Sequence, residues 1–215
     1  VGGHAGFTLL ELMLVLAIVV VLLGVVWPSV GSFLAEQPIK QSADMVRAGL
    51  AGGRHKAAST GMVYQFRYEP GGRKFIVVPF ELDAEQIQTD GSGTSVTLNA
   101  GTVLSSDTLP VARGVLAPSC QFSTGAPSLA NLANLEGPTT EQVPEQLIQL
   151  VLTDQDNPQD WTGVAWSAPV LFYPDGTSDD FTVSVSDTDL RRIDVQLRGL
   201  TAVPSVAPLV RDRQF

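Results

Sequence analysis

The residue of this 215-residue chain that most needs a chemical account is Glu11. It is the one charged side chain in the run from Phe7 to Trp27, FTLLELMLVLAIVVVLLGVVW. A carboxylate inside such a run costs roughly 2.5–3.5 kcal/mol on membrane-insertion scales, so it reads as functional and requires a partner. Cleavage between Gly6 and Phe7 would create one, because the new α-amino group stands four residues before Glu11, on the same helix face. Amine and carboxylate, within one chain or between neighbours, would neutralise each other where neither is tolerated alone.

Other reactive groups are few. Nucleophilic catalysis needs a base beside its nucleophile, and outside the first few residues the chain offers only His55, between the cations Arg54 and Lys56. Its reading is a solvated histidine near a helix end, where cations suit the helix dipole. Cys120 is the single cysteine, so one copy holds no disulfide, and a lone cysteine in a strand reads as a small buried hydrophobe. No zinc spacing, phosphate-cradling glycine loop or nucleophile elbow is present. Residues 153–160, TDQDNPQD, and 175–180, DGTSDD, are rich in oxygen ligands. The first begins like an EF-hand loop but has Gln159 where glycine is required and Ala165 where the bidentate glutamate belongs. Both read as acidic turns facing solvent. Carboxylate pairs are numerous and none is marked out for glycosidase chemistry. The expectation is no catalytic residue, no metal, no cofactor and no enzyme.

The elements that must position Glu11 follow from periodicity. The run from Phe7 to Trp27 is apolar on every face beyond Glu11 and, as a helix, would span about 31 Å, close to a hydrocarbon core of about 30 Å. A buried core helix would show a polar stripe, and a secretory signal would place small cleavable residues after the apolar run, not before it. After Pro28 the pattern becomes amphipathic: Ile39, Ala43, Val46 and Leu50 form one stripe, with Lys40, Asp44 and Arg47 between them. Pro38 is expected to bend this helix or begin a new segment, and Gly61 to stop it. Gly49, Gly52 and Gly53 each weaken helicity by about 1 kcal/mol relative to alanine, so packing against a sheet must compensate.

From Met62 the period switches to two. Residues 63–68 and 74–78 flank the turn Glu69-Pro70-Gly71-Gly72 and predict a β-hairpin. Further strands are expected at 95–98, 102–104, 111–116, 120–123, 168–173, 181–186, 192–198 and 202–207, in an antiparallel sheet or sandwich. Residues 125–160 read as loop except 145–152, EQLIQLVL, which fits a strand or a short helix. The fold class is α+β: a long N-terminal helix followed by an antiparallel β head.

Gly6-Phe7-Thr8-Leu9-Leu10-Glu11 leading an apolar helix resembles the class III signal of type IV prepilins and type II secretion pseudopilins. The resemblance implies cleavage after Gly6 by a prepilin peptidase, methylation of the Phe7 amine, and pairing of Glu11 with the N-terminal amine of an adjacent subunit during assembly. It also implies a helix kink at Pro28. Family leaders are usually basic, whereas residues 1–6 contain no Lys or Arg and do not begin with Met, so residues upstream or an unusual start are expected. The expected division is 1–6 leader, 7–27 transmembrane and assembly helix, 28–61 stalk helix and 62–215 periplasmic head.

The head narrows the resemblance. A hairpin directly after the stalk, then Val170-Leu171-Phe172-Tyr173-Pro174-Asp175-Gly176 and closing strands, is similar to the GspH/FimT-type minor subunits. The implied function is a minor pseudopilin, a structural subunit of the type II secretion pseudopilus, anchored once in the inner membrane with its head in the periplasm. Its implied partners are other pseudopilins, the prepilin peptidase and methyltransferase, the inner-membrane assembly platform and lipid. The rivals are a minor pilin of a type IV pilus, including one for DNA uptake, and a membrane-tethered enzyme.

The net charge of −9 weighs against a protein built to grip nucleic acid, which needs a dense basic surface. Only Arg211 and Arg213 lie near the end. Charge is segregated: residues 75–190 carry 16 acids and one base, Arg113, whereas 40–74 carry seven bases and two acids. An acidic head meeting another subunit's basic junction is the fibre contact this pattern suggests, weakened by salt.

Overall fold

The computed structural model describes residues 9–80, 87–90, 93–97, 103–105, 111–124, 140–152 and 156–211, with only the backbone path given for 24–34 and for the strands between 87 and 105. The first element is helix α1, Leu9–Thr60. The strands are β1 Tyr64–Tyr68, β2 Lys74–Pro79, β3 Ile87–Asp90, β4 Gly93–Thr97, β5 Val103–Ser105, β6 Ala112–Val115, β7 Cys120–Phe122 and β8 Thr140–Glu141. Helix α2, Glu145–Val151, and a 3₁₀ turn, Pro158–Asp160, come next. The chain closes with β9 Trp166–Ser167, β10 Val170–Phe172, β11 Phe181–Asp187, β12 Arg191–Arg198, β13 Val203–Val206 and β14 Val210–Arg211. Two compact units divide between Gln37 and Pro38. Residues 35–41 are helical, so Pro38 stands inside α1 and coincides with the division rather than ending the helix.

In the second unit the predicted stripe is the buried one. Ile39, Ala43, Val46 and Leu50 are fully buried, and Ala57 extends them. Gly61 ends the helix with φ +71°, a conformation glycine adopts without steric cost, and its N–H donates to the Ala57 carbonyl at 3.0 Å. Aromatic rings come close at two of the helix glycines, Gly49 and Gly53. A Cβ on Gly53 would stand 2.8 Å from a Phe172 ring carbon, and one on Gly49 2.7 Å from Phe75. The sheet thus supplies the packing that offsets their poor helix propensity.

The predicted hairpin forms, with Tyr68 opposite Phe75 and Phe66 opposite Val77. It lies in a four-stranded sheet ordered β10-β1-β2-β6, and a second sheet is ordered β13-β12-β11-β7 with β14 beside β12. All the pairings are antiparallel. One core lies between the α1 stripe, Tyr64, Phe66, Phe75 and Val77 of the first sheet, and Val183, Val185, Ile193, Val195 and Leu197 of the second.

β2 is apolar on both faces from Phe75 to Val78, and both faces are buried. Ile76 and Val78 point away from that core into another, formed with Ile148 and Val151 of α2 and with Trp161 and Trp166. The stretch read as loop over 125–160 therefore contains β8, α2 and the 3₁₀ turn. The open choice for 145–152 resolves as helix, because Ile148 and Val151, three apart, cover one patch of sheet while Glu145 and Gln149 face out. The predicted strands all appear, within a residue or two at their ends. Strands β3, β8, β9 and β14 were not foreseen; β8, β9 and β14 have two residues each, too few for a period-two signal.

Candidate functional site

Glu11 stands in the first described turn of α1, where a negative charge suits the helix N-terminus, and its side chain is exposed. Around it every large apolar side chain from Leu9 to Leu23 is at least 44% exposed. That surface is apolar all round, and such a helix is stable only when lipid or other protein covers it. Among the described residues no helix is long and apolar enough to cross a membrane. The apolar side chains described, 9–23, would cover about 22 Å at 1.5 Å per residue. Gly6 and Phe7 lie outside the described residues, and Pro28 falls within α1, where the backbone alone is given.

His55 is exposed on α1. Lys56, one turn from the helix end, is half-buried, and burial lowers its ammonium below the ordinary lysine range. Cys120 is a free, buried thiol, with the Ser119 hydroxyl 3.8 Å away.

The acidic turns have structural employment. Asp156 pairs with Arg113 at 2.5 Å, and the Asn157 side chain accepts from the Gln159 N–H at 3.2 Å. The Asp160 carbonyl accepts from the Lys74 ammonium. In the second turn, Asp175 accepts from the Thr177 hydroxyl at 2.7 Å and from its N–H at 3.0 Å. Those bonds hold the Asp175 carboxyl below the usual aspartate range. Asp179 accepts from the Leu171 N–H and Asp180 from the Gly199 N–H. Among the described residues no group of His, Cys, Asp and Glu is arranged to hold a metal ion. Of the two C-terminal arginines, Arg211 lies in β14 and Arg213 lies outside the described residues.

One network was not foreseen. Arg67, 8% exposed, donates from Nε to Gln65 at 2.7 Å. Its terminal nitrogen donates to Glu141 at 2.9 Å and to the Ser167 carbonyl at 3.2 Å. The available signal was two long polar side chains, Gln65 and Arg67, alternating with aromatics in one strand.

Comparison with known proteins falls on the N-terminal segment. Residues 3–27 match the family model described as the prokaryotic N-terminal methylation motif, a stretch that includes Gly6, Phe7 and Glu11 and stops one residue before Pro28. No curated protein matches the chain. Among solved structures, the minor pseudopilin EpsH from the type 2 secretion system of Vibrio cholerae is similar at 12% identity, with 81% of this chain and 97% of that chain covered and a TM-score of 0.37.

Proposed function

Taking as premise a chain that begins with the N-terminal methylation motif, we propose that it is a structural subunit of a pilus-like fibre, cut after Gly6, methylated on Phe7 and assembled through α1. The observation that carries this reading is the motif match over 3–27, which falls on the helix whose described residues expose an all-apolar surface around Glu11. A helix with that surface can be stored in lipid and then transferred to a fibre core, both of which cover it. Residues 1–6 are the leader, 7–27 the membrane and assembly helix, 28–61 the stalk helix with its kink at Pro28, and 62–215 the periplasmic head.

Within that class we assign the chain to the minor pseudopilins of type II secretion, on the resemblance of its hairpin and Tyr173-Pro174-Asp175-Gly176 turn to GspH/FimT-type heads. It would reside in the inner membrane by a single span until assembly. The chemical alternative is a minor pilin of a type IV pilus. A DNA-uptake version would need a basic groove that binds duplex with a steep salt dependence, and the net charge of −9 argues against that.

The experiment is intact mass and N-terminal sequencing of the membrane-extracted chain, produced with and without a prepilin peptidase. The expected product begins at N-methyl-Phe7 only when the peptidase is present, and Gly6→Ala abolishes it. An uncut chain in the presence of the peptidase would overturn the reading. Secretion and DNA-uptake assays in a deletion strain then separate pseudopilus from pilus.

A further inference from the structure

We propose that the bond between Asp175 and Gly176 is a site of spontaneous aspartate-to-isoaspartate conversion, and that Thr177 is the residue that holds this conversion back in the folded chain. The sequence contains two Asp–Gly bonds, Asp90–Gly91 and Asp175–Gly176. Glycine lacks the Cβ that would crowd its nitrogen, so an aspartate before it cyclises more readily than before other residues. The Gly176 nitrogen attacks the side-chain carboxyl carbon of Asp175. A C–N bond forms, the carboxyl C–OH bond breaks, and the amide hydrogen leaves with that hydroxyl as water. Water then opens the five-membered imide at either carbonyl. Opening at the main-chain carbonyl routes the backbone through the side chain, one methylene longer, and no oxidant or other reagent is consumed.

The turn supplies both the access and the restraint. Asp175 is exposed and Gly176 half-buried, so water reaches the bond. The form that cyclises is the neutral carboxyl, because a carboxylate carries no leaving group. Asp175 Oδ1 accepts from the Thr177 N–H at 3.0 Å and from its hydroxyl at 2.7 Å, and such bonds favour the ionised form. They also fix the carboxylate towards residue 177. The Arg54 guanidinium lies beside Gly176, with Nε and Nη2 3.8 Å from where a Cβ would stand, and its charge acts in the same direction. Asp179 and Asp180 act against it as like charges, and each is engaged elsewhere, by the Leu171 N–H and the Gly199 N–H. The nucleophile is restrained as well, since the Gly176 N–H donates to the Tyr173 carbonyl at 3.0 Å.

The position of the bond makes its conversion consequential. The Tyr173 N–H donates to the Thr177 carbonyl at 2.9 Å, and the Ser178 N–H to the Gly199 carbonyl at 2.8 Å. The turn thus ties the end of β10 in the first sheet to the end of β12 in the second. Phe172, which closes β10, is fully buried and stands against Gly53 of α1. An extra methylene at Asp175 falls inside this tie and removes the carboxylate from the oxygen position that Thr177 holds. All these residues belong to the second compact unit, so the inference stands apart from the fibre role and from how the N-terminus is processed.

The test incubates the full chain in detergent micelles, native and unfolded in urea, in water labelled with heavy oxygen. Peptide mass mapping then follows labelled isoaspartate at each Asp–Gly bond. Unfolded, both bonds should convert. Folded, Asp175 should convert at least about tenfold more slowly than it does unfolded, and Thr177→Val, which removes the hydroxyl bond and keeps the N–H, should speed the folded chain about tenfold. Thr177→Ser, which keeps the hydroxyl, should match the native rate. Tryptophan fluorescence checks that each variant is folded, and Thr177→Ala replaces Thr177→Val if the valine chain is not. A folded native chain that converts at Asp175 at its unfolded rate, an unfolded chain that does not convert there, or a folded hydroxyl-free variant no faster than Thr177→Ser would overturn the proposal.

Discussion

Arg67 and Glu141, 74 positions apart, meet at 2.9 Å and fasten β8 to the centre of the first sheet. The arginine end is buried and the glutamate end about half exposed, so the two members of the pair are not equivalent. Removing Glu141 leaves a buried cation still bonded to Gln65 and the Ser167 carbonyl. Removing Arg67 strips both of those acceptors. We predict that Glu141→Ala costs about 1 kcal/mol and Arg67→Met about 2–3 kcal/mol. The double variant should cost less than the sum. Denaturant titration followed by fluorescence of Trp161 and Trp166, which stack with ring centroids 6.2 Å apart beneath this layer, would measure all three.

Gly52 and Gly53, neighbours in α1, should respond to alanine with opposite signs. Gly52 has only the flexible Lys56 ammonium, 4.0 Å away, near a hypothetical Cβ, so Gly52→Ala should stabilise by about 0.5–1 kcal/mol through helix propensity. Gly53→Ala would press a methyl against Phe172 at 2.8 Å and should destabilise by about 1–3 kcal/mol. The same titration compares them, and equal effects would refute the packing explanation.

Asp175 should titrate below the ordinary aspartate range, because its ionised form accepts two bonds from Thr177. A depressed carboxyl pKa contributes stability that is present above the unfolded value of 3.8 and is lost as pH falls through the folded value. Side-chain carboxyl NMR should show the shift, and Thr177→Val should move the titration back towards 3.8.

Alkaline pH should act through Tyr64 and Tyr68. Burial raises both phenols above 10.0, with the Thr60 hydroxyl offsetting part of the rise at Tyr64. A raised phenol pKa means the fold favours the neutral form. The stability is fully present below pH 10 and is lost as pH rises from there through the folded values. Absorbance titration of tyrosinate should show both groups ionising late and together with loss of structure, and Tyr64→Phe should ionise one fewer late group.

Glu11→Leu should insert into the membrane at least as well as the native chain, since it removes the one charge from the apolar run. On the function proposed above, incorporation into fibres should fall by at least about tenfold, the equivalent of losing roughly 1.4 kcal/mol at the proposed pair between Glu11 and a neighbour's N-terminal amine. Co-purification with other fibre subunits measures it; unchanged incorporation would show that the carboxylate has no amine partner.

The local patterns were legible because each is written within one element. The motif at Gly6, Phe7 and Glu11, the stripe Ile39, Ala43, Val46 and Leu50, the hairpin at Glu69 to Gly72 and the stop at Gly61 all follow from spacing and residue type. Period two cannot say whether a strand has one covered face or two. That depended on α2, which arrives about 70 residues after β2 and buries Ile76 and Val78, just as residues 141 and 167 decided that Arg67 could be buried at all. Non-local burial also settled residues 145–152 as a helix and set Gly53 against Phe172. Sequence by itself determined the long helix, the longer strands and where a charge stands in an apolar run, but not residues 145–152 or the strands β3, β8, β9 and β14. The tertiary structure decided which faces meet, because apolar burial and ion pairing depend on neighbours that chain connectivity does not name.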